Sequence, residues 1–340
     1  MLSRRSWMWT SGVLAVFMGV LLVVMPTATG HELSRAGTDF HFHGEVTNSG
    51  SQAEGLLMNS RMVNAIWDDA NWPAFDADKN TSNFIAALPT YASYGLDMVA
   101  VGLQGGMTGR AKGVSSGINP DGSLNSAWMN RLDRVVVAAR EQHIVVNVQG
   151  YYQAQDHHVK GDEAVKRSLE NIVNWIYAKG YQNDVILEVA NESNPNLYSA
   201  HPILQRVNVH QAISVAKKAR PDNVLPVTVS FIGGALPTAN IYKVNDVVLL
   251  HGNGRTASEL KNMIDKVRSN SAYKSNPVPI VVNEDSTSIA KFDASLSKGV
   301  GWGYYDQSGF QSIPDADGPD WNINTSAKKA FFDRVKQATN

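Results

Sequence analysis

Two stretches of the sequence put carboxylates where carboxylates are costly. Residues 185–194 read VILEVANESN, and residues 279–286 read PIVVNEDS. Each begins as a dense run of Val, Ile and Leu, the pattern of a strand covered on both faces, and each arrives at Asn-Glu. A buried carboxylate is unfavourable unless something pairs with it or uses it. Glu192 and Glu284, at the ends of two such strands, offer a definite chemistry. One carboxyl keeps its proton and gives it to a departing oxygen, while the other stays ionised and meets the carbon that the oxygen leaves. Proximity of the two charges would help raise the pKa of the acid. Asn191, immediately before Glu192, adds an amide for a hydroxyl or a neighbouring carboxylate. By period-two alternation Glu188, Ala190 and Glu192 share one side of their strand, with Glu192 outermost. Glu188 is expected deeper, holding an arginine such as Arg61 or a set of hydrogen-bond donors.

Such a pair needs a scaffold that brings two strand ends together. Strand candidates recur at 55–60, 97–103, 144–150, 185–191, 225–231, 246–252, 279–285 and 300–306. Amphipathic helices lie between them, at 81–95, 126–142, 162–180, 206–221, 257–269 and 325–338, where apolar residues recur every three or four positions. Pro89 is expected to kink the first helix or mark its edge. The helices after the fifth and seventh strands look short. Alternation of this kind predicts a parallel sheet, and eight units close most economically into a (β/α)8 TIM barrel. An open doubly wound sheet would normally carry G-x-G-x-x-G after its first strand, and that fingerprint is absent. One domain spanning 31–340 is expected, with FHFHGEVTNSG (40–50) as a short N-terminal β-hairpin. Barrel sites lie at the C-terminal strand ends, so Glu192 on strand four and Glu284 on strand seven would face each other across the mouth. That is the pair glycoside hydrolysis requires.

The rest of the composition narrows the setting. The 340-residue chain has 30 Lys and Arg against 31 Asp and Glu, which gives no electrostatic case for nucleic acid or an anionic membrane surface. It contains no cysteine, so thiol nucleophiles and disulfides are excluded. MLSRRSW followed by SGVLAVFMGVLLVVM and PTATG reads as a secretory signal peptide over residues 1–30. The alternative is an uncleaved N-terminal membrane anchor. A secreted or periplasmic monomer acting on carbohydrate, with no cofactor and no metal, is the expectation.

At this point the chain resembles the clan A glycoside hydrolases, the cellulase-like retaining β-glycosidases. The resemblance rests on EVANE (188–192) at the end of strand four, NED (283–285) on strand seven and GWGYYD (301–306) on strand eight. It implies that Glu192 is the acid/base and Glu284 the nucleophile. It further implies that Asn191 binds the hydroxyl beside the anomeric carbon and that Trp302 stacks on a sugar ring. Ser193 stands where many members have proline, and Asn147 and Gln149 occupy a strand that often carries histidine.

Other residues are candidates for the cleft. His251 in HGNG (251–254) would orient Glu284 or touch substrate. Tyr151, Gln155 and Asp156, in YYQAQDHH (151–158), would reach sugar hydroxyls. Tyr304 shares a face with Trp302, and Arg61 lies in the loop after strand one. Trp67 and Trp72 offer further platforms, with packing as the alternative. The glycine-rich stretch 105–117 reads as a cleft loop. Two readings from other classes stand beside this one. His41 and His43 form H-x-H, which in amidohydrolase-type barrels opens a metal site, though strand five lacks the further ligand. A non-catalytic carbohydrate-binding barrel is the other, against which retention of both glutamates speaks.

Overall fold

The computed structural model describes residues 32–106, 115–153, 155–194, 196–313 and 318–340. The expected leader and the centre of the glycine-rich loop, 107–114, lie outside them. Three short strands come first: β1 (Ser34–Ala36), β2 (Asp39–Phe42) and β3 (Glu45–Val46). They form a small antiparallel sheet in the order β1-β2-β3. His43 and Gly44 turn the hairpin with φ of 52° and 81°, the positive pair that matches strand twist in a two-residue connection.

Eight strands then build the main sheet. They are β4 (Asn59–Arg61), β5 (Met98–Gly102), β6 (Val145–Tyr151), β7 (Val185–Ala190), β8 (Val227–Thr228), β9 (Val248–His251), β10 (Ile280–Ser286) and β11 (Gly301–Tyr304). Their order, β8-β7-β6-β5-β4-β11-β10-β9, is that of a barrel opened at one seam, and every neighbouring pair is parallel. The seam between β8 and β9 is closed by other bonds. Asp246 N donates to Val227 O at 3.0 Å, Val227 N donates to the Asp246 carboxylate at 3.0 Å, and Thr228 Oγ1 donates to Val247 O at 2.6 Å. Arg35, Lys217 and Arg220 all pair with that same carboxylate.

Helices wrap the barrel, the first beginning four residues before its expected start and α7 being an addition to those the spacing predicts: α1 (Ala77–Ser93), α2 (Ser126–Glu141), α3 (Gly161–Ala178), α4 (Val209–Ala219), α5 (Ala239–Tyr242), α6 (Ala257–Ser269), α7 (Ser271–Ser275), α8 (Ile289–Leu296) and α9 (Ser326–Thr339). Local chemistry fixes their starts. Asn125 accepts from Ala127 N at 3.0 Å, and Thr256 with Glu259 forms a reciprocal capping box. Pro89 sits inside α1 without ending it. No helix among the described residues is long and apolar enough to cross a membrane.

The barrel has an apolar floor and a polar upper interior. Leu57, Met98, Val145, Ile186, Val247, Leu249 and Val281 form one cluster with Leu33 and Phe40. The N-terminal hairpin therefore plugs the end of the barrel away from the C-terminal strand ends. Above the floor, Asn59, Asn147, Gln149, Glu188, Thr228, Asn283 and His251 are buried. A polar interior on this scale is unfavourable unless its groups satisfy one another, and they lie directly beneath the two carboxylates.

Candidate active site

The C-terminal ends of β7 and β10 bring Glu192 and Glu284 to one cleft of about 560 Å³. Its lining includes Arg61, Tyr152, Gln153, Asn191, Asn253 and Tyr305. Facing oxygens of the two carboxylates and a His251 ring nitrogen all lie within 4.8 Å of one another. Neither carboxylate stands on regular strand. Glu192 has φ of 53°, in the left-handed region, and β10 shifts its pairing with β9 between Val282 and Glu284.

Glu284 is held from several sides. Arg61 Nε lies 2.5 Å from its Oε2, and Asn253 Nδ2 donates to its Oε1 at 2.9 Å. The Arg61 side chain is almost fully buried, and its guanidinium lies 5.8 Å and 5.7 Å from the ring centres of Tyr152 and Tyr305. Burial pushes the Arg61 pKa down, but Glu284 leads the neighbours that outweigh it, and the net direction is up. The guanidinium remains a cation against an acceptor that needs one.

Glu192 accepts from Gln153 Nε2 at 3.1 Å and meets His251 Nδ1 at 3.2 Å. Burial pushes its carboxyl up. The hydrogen bond and charge of His251, with Arg61 and Gln153, outweigh burial and hold it below the ordinary carboxylate range. His251 moves the other way. Burial pushes its imidazole down, yet Glu284, Glu192 and Glu188 overcome that and hold it above its usual value. Both directions favour a proton on the His251 imidazole over one on the Glu192 carboxyl. The direction at Glu192 is opposite to the rise expected from mutual repulsion of the carboxylates, because His251 beside it draws the carboxyl down.

Glu188 lies below, fully buried. Asn147, Gln149 and Asn283 donate to its Oε2 at 2.8, 2.9 and 3.3 Å, and Ser230 Oγ donates to its Oε1 at 2.5 Å. Arg61 is committed to Glu284 instead. Asp285, the neighbour of Glu284, is taken by an ion pair with Lys291 and by Trp302 Nε1 at 2.7 Å.

Several expected cleft residues lie elsewhere. Trp302 is fully buried outside the barrel wall, packed on Phe292 and Phe331 with ring centres 5.6 and 5.9 Å away. It is a core residue and not a sugar platform. Tyr304 is buried with it, stacked on Phe331 at 4.7 Å. The reason is the glycines. A β-carbon on Gly301 would lie 2.2 Å from Leu57 O, and one on Gly303 would lie 2.4 Å from Asn59 Oδ1. These two residues occupy the crowded inner face, so Trp302 and Tyr304 point out to the helices, and Tyr305 reaches the cleft.

The same one-residue offset governs the loop after β6. Tyr151 turns outward to Ser168 on α3, at 2.5 Å. Gln155 is spent on Ser115 N at 3.0 Å, and Asp156 is buried, its carbonyl accepting from His201 Nε2 at 2.9 Å. Tyr152 and Gln153 line the cleft instead. Trp67 is fully buried among Trp72 and Phe75, which leaves it no sugar-facing surface. Sequence reasoning missed Tyr152, Gln153, Asn253 and Tyr305. Each stands within two residues of one it singled out.

The metal-hydrolase alternative is corrected by position. His41 and His43 belong to the hairpin at the floor, where His41 Nδ1 meets Gly44 O at 3.2 Å. The first barrel strand, Asn59–Arg61, carries no histidine. Among the described residues the group with metal-ligand geometry is Glu192, His251 and Glu284. Arg61 against Glu284 supplies the positive charge there and opposes a cation.

The fold is an eight-stranded parallel barrel with helices outside and an N-terminal antiparallel cap. It is the fold of known glycoside hydrolases. A broad-specificity endoglucanase of subfamily GH5-4 from Clostridium longisporum superposes with a TM-score of 0.58 at 15% identity, over 86% of this chain and 99% of that one. The endo-1,4-beta-mannanase of Rhizomucor miehei gives 0.57 at 12%, over 90% and 99%. A glycoside hydrolase family 5 enzyme from Prevotella bryantii B14 gives 0.55 at 13%, over 90% and 100%. No protein-family profile matches the chain, and no curated protein does. At these identities the likeness is one of fold.

Proposed function

We propose that the protein hydrolyses β-glycosidic bonds of a polysaccharide or oligosaccharide, with a β-glucan as the first candidate, and retains configuration at the anomeric carbon. The observation that carries this reading is the spacing of Glu192 and Glu284, whose facing oxygens lie within 4.8 Å. Retaining pairs stand about 5–5.5 Å apart, whereas inverting pairs leave about 6.5–9.5 Å for a water between them.

The surroundings suit a division of labour. Glu284 has an arginine and an amide donor fixed on its two oxygens, as an ionised nucleophile requires. It attacks the anomeric carbon and forms a glycosyl ester. Glu192 is the more exposed of the two. It protonates the departing oxygen and then takes a proton from the water that opens the ester. Its proton comes from His251, 3.2 Å away. Substrate covering the half-buried carboxyl strengthens the burial effect and favours that transfer. Asn191 and Gln153 offer amides to the sugar hydroxyls, and Tyr152 and Tyr305 offer ring faces. Secretion or delivery to the periplasm, as the leader implies, belongs to the same proposal.

The test is reducing-sugar release from a panel of β-linked polysaccharides, by wild type, Glu284→Gln and Glu192→Gln, with and without EDTA. Activity that resists chelation and falls by about 10³-fold or more in Glu284→Gln is expected. The first-formed product should carry the β configuration by proton NMR; an α product would overturn retention. Binding without turnover across the panel would favour the non-catalytic barrel.

A further inference from the structure

Glu192 holds its left-handed backbone, φ 53°, without the freedom of glycine, and something must keep it there. The contacts around it converge on one residue. Glu192 N donates to Ser230 Oγ at 3.0 Å, and Ser193 N donates to Ser230 O at 2.9 Å. Ser230, just beyond β8, thus holds two consecutive peptide N–H groups, one with its hydroxyl and one with its carbonyl.

The hydroxyl can do this only if its own proton points away. It has one proton to give, and it gives it to Glu188 Oε1 at 2.5 Å. Glu188 in turn receives nothing but donors, three on its other oxygen from Asn147, Gln149 and Asn283. A carboxylate accepts all four. Glu188 stands on β7 and its other donors on β6 and β10, so three strands fix the orientation of the Ser230 hydroxyl.

We propose that Glu188 and Ser230 form a clamp that sets the backbone of Glu192 and so aims its carboxyl at the departing oxygen. Both are positioning residues, and neither meets the substrate. The proposal rests on Glu192 being the acid/base. Glu188→Gln keeps the shape but brings an amide that needs acceptors. Turned toward Ser230, that amide and Glu192 N would both donate to one hydroxyl oxygen. Turned away, it would face three other donors. Either way the clamp loosens with little change in volume.

The test compares wild type, Ser230→Ala and Glu188→Gln on two substrates. One is the glycan that wild type cleaves, and the other is the matching 2,4-dinitrophenyl β-glycoside, whose phenolate leaves without a proton. Misaimed acid catalysis should lower kcat/KM on the glycan by about 10²-fold and on the aryl glycoside by no more than about threefold, with the glycan KM nearly unchanged. Equal losses on both substrates, or no loss on the glycan, would overturn the proposal.

Amide hydrogen exchange provides an independent reading. In Ser230→Ala the Glu192 amide loses its acceptor and should exchange about tenfold faster. The Asn191 amide, bonded to Tyr151 O at 2.8 Å, should not change. Unchanged protection at Glu192 would overturn the clamp whatever the activity. Faster exchange in an enzyme whose wild type cleaves neither substrate would overturn the hydrolase reading alone and leave the clamp in place.

Discussion

Asp97 immediately precedes β5 at the floor of the barrel, and its carboxylate ties the start of the first barrel strand to the N-terminal cap. Its Oδ2 accepts from Met58 N at 2.7 Å and from Asn48 Nδ2 at 3.0 Å. Burial pushes the carboxyl from 3.8 up to about 7, against those two bonds. The unfolded chain releases this proton near pH 4, and the folded chain keeps it to about pH 7. Between those values the folded state binds more protons, so stability falls as pH rises. The contribution is complete below pH 4 and is lost as pH passes the folded value. At 1.36 kcal/mol per pH unit, the interval from 3.8 to about 7 is worth roughly 4 kcal/mol. By linkage, about 4 kcal/mol is lost by pH 8 and under about 2 kcal/mol at pH 5.

Asp97→Asn removes the titration and keeps an oxygen for both donors. The variant should therefore gain on wild type by about 2–3 kcal/mol between pH 5 and pH 8. Urea unfolding of both proteins at the two pH values measures this directly, provided the slopes agree. A difference between the proteins that stays constant from pH 5 to pH 8 would show that Asp97 is ionised in the fold and would refute the reasoning.

Other perturbations separate the cleft from the wall around it. Trp302→Phe strips a donor from buried Asp285 and should cost about 1–3 kcal/mol of stability with KM unchanged. Tyr305→Ala should raise KM several-fold with little loss of stability; a larger KM effect from Trp302 would return it to the cleft. Asp246→Asn leaves Arg220, whose side chain is buried, without its ionic partner at the barrel seam. It should destabilise by about 3–5 kcal/mol in denaturant titration, and a loss under about 1 kcal/mol would mean that the backbone bonds alone close the barrel.

The barrel was legible because each unit repeats two periodicities that apolar side chains reveal. All eight strand candidates overlap β4 to β11, and the helices expected at 126–142, 162–180 and 257–269 match α2, α3 and α6 within two residues. The short helices after strands five and seven are α5 and α8. Glu192, Glu284, Asn191, Arg61 and His251 do converge, because the end of a barrel strand is a place that alternation can identify. What stayed hidden was partner choice. Nothing in the sequence says that Arg61 answers Glu284 and not Glu188, since both glutamates follow runs of the same kind and the choice depends on depth within the barrel.

The strand ends that carry the two carboxylates are themselves irregular. Period two holds along β7 as far as Ala190, and then Glu192 turns left-handed. Along β10 it holds as far as Val282 and slips before Glu284. The ladder to β11 shows the same extra residues on β10, pairing Val282 with Trp302 but Ser286 with Tyr304. On β11 the alternation itself is regular, with Gly301, Gly303 and Tyr305 on the inner side, so Tyr305 was passed over because the inner face was given to the aromatic residues and not to the glycines. The same irregularities serve the proposed chemistry. A regular strand directs successive side chains to opposite faces of the wall, but the cleft needs Asn191 and Glu192 together, and it needs Glu284 to meet Glu192 across the mouth. Breaking the period at the carboxylates achieves both, and the buried Glu188 network compensates for the break on β7 by bonding the displaced backbone through Ser230.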